Sequence, residues 1–281
     1  MEAKVFLAVL AAAALHAGWN ALLKVGLDRF LSAGLIQIGA GLVALPLLPL
    51  VSLPLAAAWP WIGLSALLHI GYNVFLARAY RHGDLGQVYP LARGASPLLV
   101  ALLSIPLLGE QLGGGHLAGL LLLVAGLWLM ALLGNRRRTG LDRQLLLDAL
   151  LTALFIAGYT LADANGARAN GQALAYALWL FAVNGLVMAV LLLGLRGPGV
   201  WRPLLDQWRA GLAGGGMSLL AYGIVIWAMT QAPAALVSAL RESSVLFALL
   251  IGVLWLREPL PRGRLLACVV IAGGVVLVKL A

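Results

Sequence analysis

Charge is scarce in this sequence. Asp, Glu, Lys and Arg together make up 10% of the 281 residues, and apolar types make up 63%, against about a quarter and about half in a soluble domain. A water-soluble fold of this composition would leave large apolar patches bare, so lipid is the natural cover. Cysteine is almost absent: Cys268 stands alone in an apolar segment, which excludes a disulfide framework and any multi-cysteine metal centre. Catalytic signatures are missing as well. There is no His-Glu-x-x-His, no Gly-x-Ser-x-Gly and no acidic pair inside an apolar run, and the absence of Gly-x-x-x-x-Gly-Lys-Ser/Thr removes ATP-driven transport within the chain. The expectation is therefore no enzyme, no catalytic residue, no metal and no cofactor. The formal charge of +9 does not point to nucleic acid, because the basic residues sit between apolar runs. Even the densest cluster, Arg136, Arg137 and Arg138, follows the end of one, where basic side chains fix topology and meet anionic head groups.

What is present is a series of long apolar runs. About 20 residues at 1.5 Å each cross the roughly 30 Å of bilayer hydrocarbon, and ten stretches meet that length: 5–24, 32–52, 59–80, 87–107, 114–134, 144–162, 173–195, 209–230, 234–256 and 264–280. Met1 to Leu10 has some signal-peptide character, but the run continues through Trp19 with its polar residues in a stripe, so a retained first helix is expected. Pro60, Pro203, Pro259 and Pro261 lie at or near helix starts, where a missing N–H costs little. Pro46, Pro97, Pro106 and Pro233 are candidates to kink or end helices. The odd-numbered connections hold Lys24, Arg29, Arg78, Arg81, Arg136, Arg137, Arg138, Arg143, Arg196, Arg202, Arg209, Arg257, Arg262 and Arg264, and the opposite side only Lys4, Arg168 and Lys279. The positive-inside rule then places the odd connections in the cytoplasm and both termini outside.

An internal repeat organises these spans. An offset of 148 superposes Arg93 on Arg241, Ser96 on Ser244, Glu110 on Glu258, Gly115 on Gly263 and Gly126 on Gly274. Leucine matches would be cheap in such a chain; coincident Arg, Ser and Glu at one offset are not. A looser echo sets Ala17-Gly18-Trp19-Asn20 against Ala157-Gly158-Tyr159-Thr160. The reading is two five-helix halves, 1–138 and 139–281, in one membrane domain. An odd number of spans per half forces the second copy into the membrane upside down, so the expected fold is an all-α membrane protein of ten transmembrane helices in a 5+5 inverted-topology repeat.

The segment Leu15-His16-Ala17-Gly18-Trp19-Asn20, the Gly109-Glu110 and Arg257-Glu258 endings after the fourth and ninth spans, and the five-plus-five arrangement resemble the drug/metabolite transporter superfamily in its ten-helix, EamA-like branch of metabolite exporters. The resemblance spans both halves. It implies a central cavity lined by spans one to four and six to nine, with spans five and ten peripheral, and export across the cell (inner) membrane. One departure is that many members carry their basic residues on the other connections and keep their termini in the cytoplasm, so the orientation here rests on charge.

Arg93 and Arg241 are the sharpest site candidates, since a charged side chain near mid-membrane costs about 2.5 to 3.5 kcal/mol on insertion scales and is rarely kept without purpose. In inverted helices Arg93 is expected slightly to the cytoplasmic side of the midplane and Arg241 slightly to the external side. Glu242 is a candidate local partner for Arg241. If the guanidinium groups instead face a cavity, they suit a carboxylate or phosphate group. His16, Asn20 and Lys24 recur every four residues and form a polar stripe on the first span; Lys24 reads as a snorkelling end residue, while His16 and Asn20 either line the cavity or bridge helices. His69, Tyr72, Asn73 and Tyr80 share a broad face of the third span, Ser218 and Tyr222 one of the eighth, and Tyr159 and Asp163 one of the sixth, where Asp163 is read as near the external end and solvated. Trp19, Trp179 and Trp227 suit stacking or interface anchoring, and Trp59 and Trp61 anchoring. The proposed substrate-binding set is Arg93, Arg241, His16, Asn20, His69, Tyr72, Asn73, Ser96, Ser244, Tyr222 and Trp19. Gly115 with Gly119, and Gly263 with Ala267, permit close helix packing or dimerisation, so monomer and homodimer both stay open.

These features favour a secondary transporter over a channel, because an inverted repeat with paired internal charges suits binding and release better than a continuous pore. A purely structural subunit would have no use for two buried arginines. The expected substrate is a small polar metabolite, an amino acid or another organic anion, moved by alternating access. Free imidazoles change charge near neutral pH, which makes His16 and His69 candidates to carry a proton and protons a candidate coupling ion. Export of lipophilic cations is the alternative; the first span lacks a deep Glu, and the two arginines argue against it.

Overall fold

The computed structural model describes residues 1–22, 27–82, 85–134, 143–254 and 262–281; Lys24, the Arg136–Arg138 cluster, Arg257, Glu258, Pro259 and Pro261 lie outside them. Among the described residues the chain is helical throughout, with no strand. The helices are α1 (Ala3–Leu22), α2 (Arg29–Ala44), α3 (Trp59–His82), α4 (Leu85–Leu108), α5 (Gly114–Gly134), α6 (Arg143–Asn170), α7 (Ala173–Arg196), α8 (Trp201–Asp206), α9 (Trp208–Met229), α10 (Ala234–Arg241), α11 (Ser244–Leu254) and α12 (Arg262–Leu280). Ten segments among them are long and apolar enough to cross a membrane, with α10 and α11 together forming the ninth.

Local chemistry sets the ends. The Asp28 carboxylate accepts from Leu31 N–H at 2.9 Å and caps α2. Pro46 removes a helical donor just past Ala44, and the chain tightens into a 3₁₀ turn over Leu45–Leu50. Pro233 precedes α10 as its N-cap, and Gly109 leaves α4 at φ 64°, a left-handed conformation that favours glycine. Two expectations are corrected. The sixth span does not stop at residue 162 but runs to Asn170, because the polar residues beyond 162 find partners inside the protein. The ninth span is not one unbroken helix. The short α8, ahead of the eighth span, was not foreseen.

The helix pairs across the two halves come in symmetry-related sets. Spans three and six pack together, and so do eight and one; four with six is matched by nine with one, and two with eight by seven with three. The pairs two–seven, four–nine and five–ten map onto themselves. This pattern is what a pseudo-two-fold axis between inverted halves produces. The repeat holds at atomic contact. A Cβ on Gly126 would lie 2.8 Å from Ile271 N, and one on its repeat mate Gly274 would lie 2.6 Å from Leu123 N; Leu123 and Ile271 are themselves 148 apart. The glycine stripe therefore serves α5–α12 packing within the chain, at one edge of the bundle, as small residues do between membrane helices. At spans two and seven, Gly41 and Gly185 meet backbone to backbone.

The radial pattern suits lipid. Leu67, Leu102, Leu150, Leu186, Val190 and Val269 are exposed on the outside, whereas Arg93, Arg241, Glu242, Asp163 and Asn73 are buried inside, the distribution of a chain solvated by hydrocarbon.

Candidate functional site

The centre of the site is a break in helical hydrogen bonding that recurs in both halves. In α4, Pro97 has no N–H to give the Arg93 carbonyl, and the Ser96 hydroxyl donates to that oxygen instead, at 3.2 Å. In the second half the ladder switches to i→i−3 bonds, with Ser243 N–H donating to Leu240 O and Val245 N–H to Glu242 O, which separates α10 from α11. Each break sits beside the guanidinium-bearing residue of its half. An interrupted span such as α10–α11, tolerated only where protein or a cavity surrounds it, is a feature of membrane-transporter centres, while α4 stays one continuous helix across Pro97.

The two arginines converge. Arg93 Nε donates to Glu242 Oε2 at 2.6 Å, and Arg241 Nε lies 3.6 Å from Glu242 Oε1. The two guanidinium groups, one from each half, thus meet at the two oxygens of one carboxylate. Glu242 is also less Arg241's local partner than Arg93's, across the halves. The carboxylate is fully buried, and Arg93 and Arg241 are 5% and 4% exposed. Arg93 Nη1 contacts His16 Nε2 at 3.1 Å. Arg241 lies over the Tyr222 ring, 5.8 Å from its centroid, and its Nε and Nη2 make no hydrogen bond among the described residues. Two cations on one anion leave a surplus positive charge in this triad, in a setting where unmatched charge is costly.

A second group lies beside it. His69 stacks on Tyr159 with centroids 4.1 Å apart, Tyr72 meets Tyr159 edge-on, and Tyr222 is edge-on to both His69 and Tyr159. The Tyr222 hydroxyl donates to Asp163 Oδ2 at 2.7 Å, and the Tyr176 hydroxyl to Oδ1 at 3.0 Å. Asp163 is fully buried, which overturns its reading as a solvated end residue: the longer α6 carries it inside.

The structure therefore brings His16, Arg93, Arg241, Tyr222, His69 and Tyr72 into one connected cluster. Ser96 serves the Arg93 carbonyl, and Ser244 is buried with its hydroxyl unbonded. Asn20 and Asn73 turn their amides back to the carbonyls of His16 and His69, on their own helices. Trp19 reaches the cluster through its edge contact with His16, 4.9 Å away. Trp179 pairs with Trp59, and Trp227 lies under Lys4. Sequence reasoning missed the central part of Glu242 and the Tyr176–Asp163–Tyr222 chain; a carboxylate adjoining a repeat-matched arginine in an apolar run was the available signal for the first.

At the end of the bundle that bears the even-numbered connections, Glu110 accepts from Arg168 Nη2 at 2.6 Å and from Ala234 N–H, at the start of α10, at 2.9 Å. Arg168 Nε donates to Met229 O at 3.0 Å. This latch ties the first half to two connections of the second. It also stands one short helix, α10, away from Arg241.

The chain matches the EamA-like transporter family twice, over residues 3–132 and over 145–280. It belongs to that family. The EamA-like assignment makes it a multi-pass membrane transporter of the drug/metabolite transporter superfamily. A solved structure described as "Crystal structure of protein" is similar over 99% of this chain and 96% of its own, with a TM-score of 0.75 and 22% identity, a likeness of fold alone. No curated protein matches.

Proposed function

We propose that this EamA-like protein is an alternating-access secondary transporter of a small polar organic anion, an amino acid or a related carboxylate, working outward across the inner membrane with both termini outside. The single observation that carries the reading is that Arg93 and Arg241, one from each half, share one buried carboxylate while Arg241 keeps Nε and Nη2 without hydrogen bonds. A substrate carboxylate at Arg241 would offset the surplus charge through charge-assisted bonds, and the rings of Tyr222, Tyr159 and His69 would flank the rest of a small molecule. The inverted repeat supports two conformations of similar energy, open to opposite sides. The outward direction follows the EamA-like resemblance, and the orientation follows the Lys and Arg bias.

A thermal-shift screen of the purified protein against amino acids, organic acids and lipophilic cations tests the class, because a ligand of the folded state raises stability by mass action. Carboxylates should raise the melting temperature of the wild type and leave Arg241→Ala unmoved. A shift with lipophilic cations alone, retained in Arg241→Ala, would replace this reading with the cation-exporter alternative.

A further inference from the structure

Among the described residues, Asp163 is the one carboxylate in the centre of the bundle that the anion site does not use. Its side chain is fully buried, and its two oxygens receive the hydroxyls of Tyr176 and Tyr222. Among the described residues no cation forms an ion pair with it. A buried carboxylate held only by neutral donors is costly to keep ionised, and such groups inside membrane proteins serve as proton relays.

The groups that face it from each packed element define its setting. Tyr176 of α7, Tyr222 of α9 and Ser65 of α3 offer it hydroxyls; Tyr159 of its own helix α6 stands near it, and His69 of α3 packs against Tyr159 and Tyr222. Beyond the Tyr222 ring lie Arg241 and Glu242 of the α10 end, then Arg93 of α4 and His16 of α1. Neither histidine is as well placed to load a proton. His16 Nε2 sits on the Arg93 guanidinium, which has only donors to offer, so that nitrogen accepts and carries no proton here. A proton added to it would set two cations side by side. His69 Nδ1 lies 2.8 Å from the Ser65 carbonyl and donates to it.

We infer that Asp163 is the proton-binding site of this transporter, linked to the anion site through Tyr222, whose hydroxyl bonds Asp163 while its ring faces Arg241. The inference rests on the proposed anion site at Arg241. Asp163 takes one proton to become a neutral carboxylic acid, and no other bond changes. With Asp163 ionised, the charges of Arg93, Arg241, Glu242 and Asp163 cancel; with it protonated, one positive charge remains. The protonated state therefore binds an anion more tightly, and by linkage the anion tightens the proton. The two travel together, so each outward cycle carries a carboxylate and a proton in the same direction, driven by the outward gradient of the carboxylate.

Infrared difference spectroscopy of the purified protein between mildly acidic and mildly alkaline pH reads the site without any substrate. The wild type should show a protonated-carboxyl band that Asp163→Asn abolishes and that Tyr222→Phe, which removes one donor and keeps the ring, shifts in frequency. In liposomes, with a radiolabelled mixture of the protein amino acids as probe, Asp163→Asn should retain exchange of internal for external label. It should lose the accumulation that an imposed pH gradient drives in the wild type. A carboxyl band unaltered in both variants, or gradient-driven accumulation that survives in Asp163→Asn, would overturn the inference. Should the anion reading fail, no amino acid would exchange even in the wild type, while the infrared band would still respond to Asp163.

Discussion

Glu242 holds two guanidinium groups from opposite halves of the chain, and its substitution should show how much of the centre depends on it. Removing one member of a buried ion pair leaves the other uncompensated, at a cost of about 3 to 5 kcal/mol. Glu242→Gln should therefore lower stability by that order in chemical denaturation of the micelle-bound protein. Arg93→Met in the same background should recover part of the loss, because it removes the stranded charge. An unchanged midpoint for Glu242→Gln would mean that the 2.6 Å contact does not bear the load assigned to it. Arg93 and Arg241 were legible in the sequence because guanidinium groups are expensive in apolar runs. Glu242 was harder to weigh. The repeat sets Gly94 at its equivalent position, so the self-comparison that exposed the arginines passes over it, and adjacency suggested Arg241 as partner when the fold supplies Arg93. Asp163 was misread for another reason: Asp163, Asn165, Arg168 and Asn170 depress hydropathy and so mark an early end to the sixth span, whereas tyrosine hydroxyls satisfy Asp163 and Glu110 satisfies Arg168 within the protein.

Among the elements, the α5–α12 pair and the latch at the start of α10 make separate predictions. Gly126 and Gly274 occupy equivalent places against Ile271 and Leu123, so Gly126→Leu and Gly274→Leu should be destabilising to a similar degree, about 1 to 3 kcal/mol each for overpacking a close contact. A large cost at one position with none at the other would contradict the symmetry of the packing. In the latch, Glu110 accepts from Arg168 and from the α10 N-terminus, and Glu110→Ala removes both bonds. With Cys268→Ser as background and a reporter cysteine in place of the buried Ser238, Glu110→Ala should speed labelling by a membrane-impermeant maleimide added on the even-connection side. Equal labelling rates would show that the latch does not hold that face closed. The elements themselves followed from apolar length and proline placement. The split between α10 and α11 did not, because no proline or glycine marks it and only the hydrogen-bond pattern reveals it.

On the scale of the whole molecule, ten spans and a duplicated unit were readable from run lengths and from the 148-residue offset, and the symmetric helix pairing gives that offset its spatial meaning. Orientation is a matter of charge: with the basic connections in the cytoplasm, a reporter fused after Ala281 should be active only outside, and strong cytoplasmic activity would reverse the assignment. The central claim is that Arg241, which shares one buried carboxylate with Arg93 of the other half, binds the transported anion. Counterflow of radiolabelled amino acids and organic acids into liposomes tests it most directly, comparing wild type with Arg241→Ala. Loss of charge-assisted bonds worth about 1.5 to 3 kcal/mol predicts uptake lowered roughly 10- to 100-fold in the variant. Anion uptake equal in the two proteins, with a lipophilic cation moved by both, would contradict it.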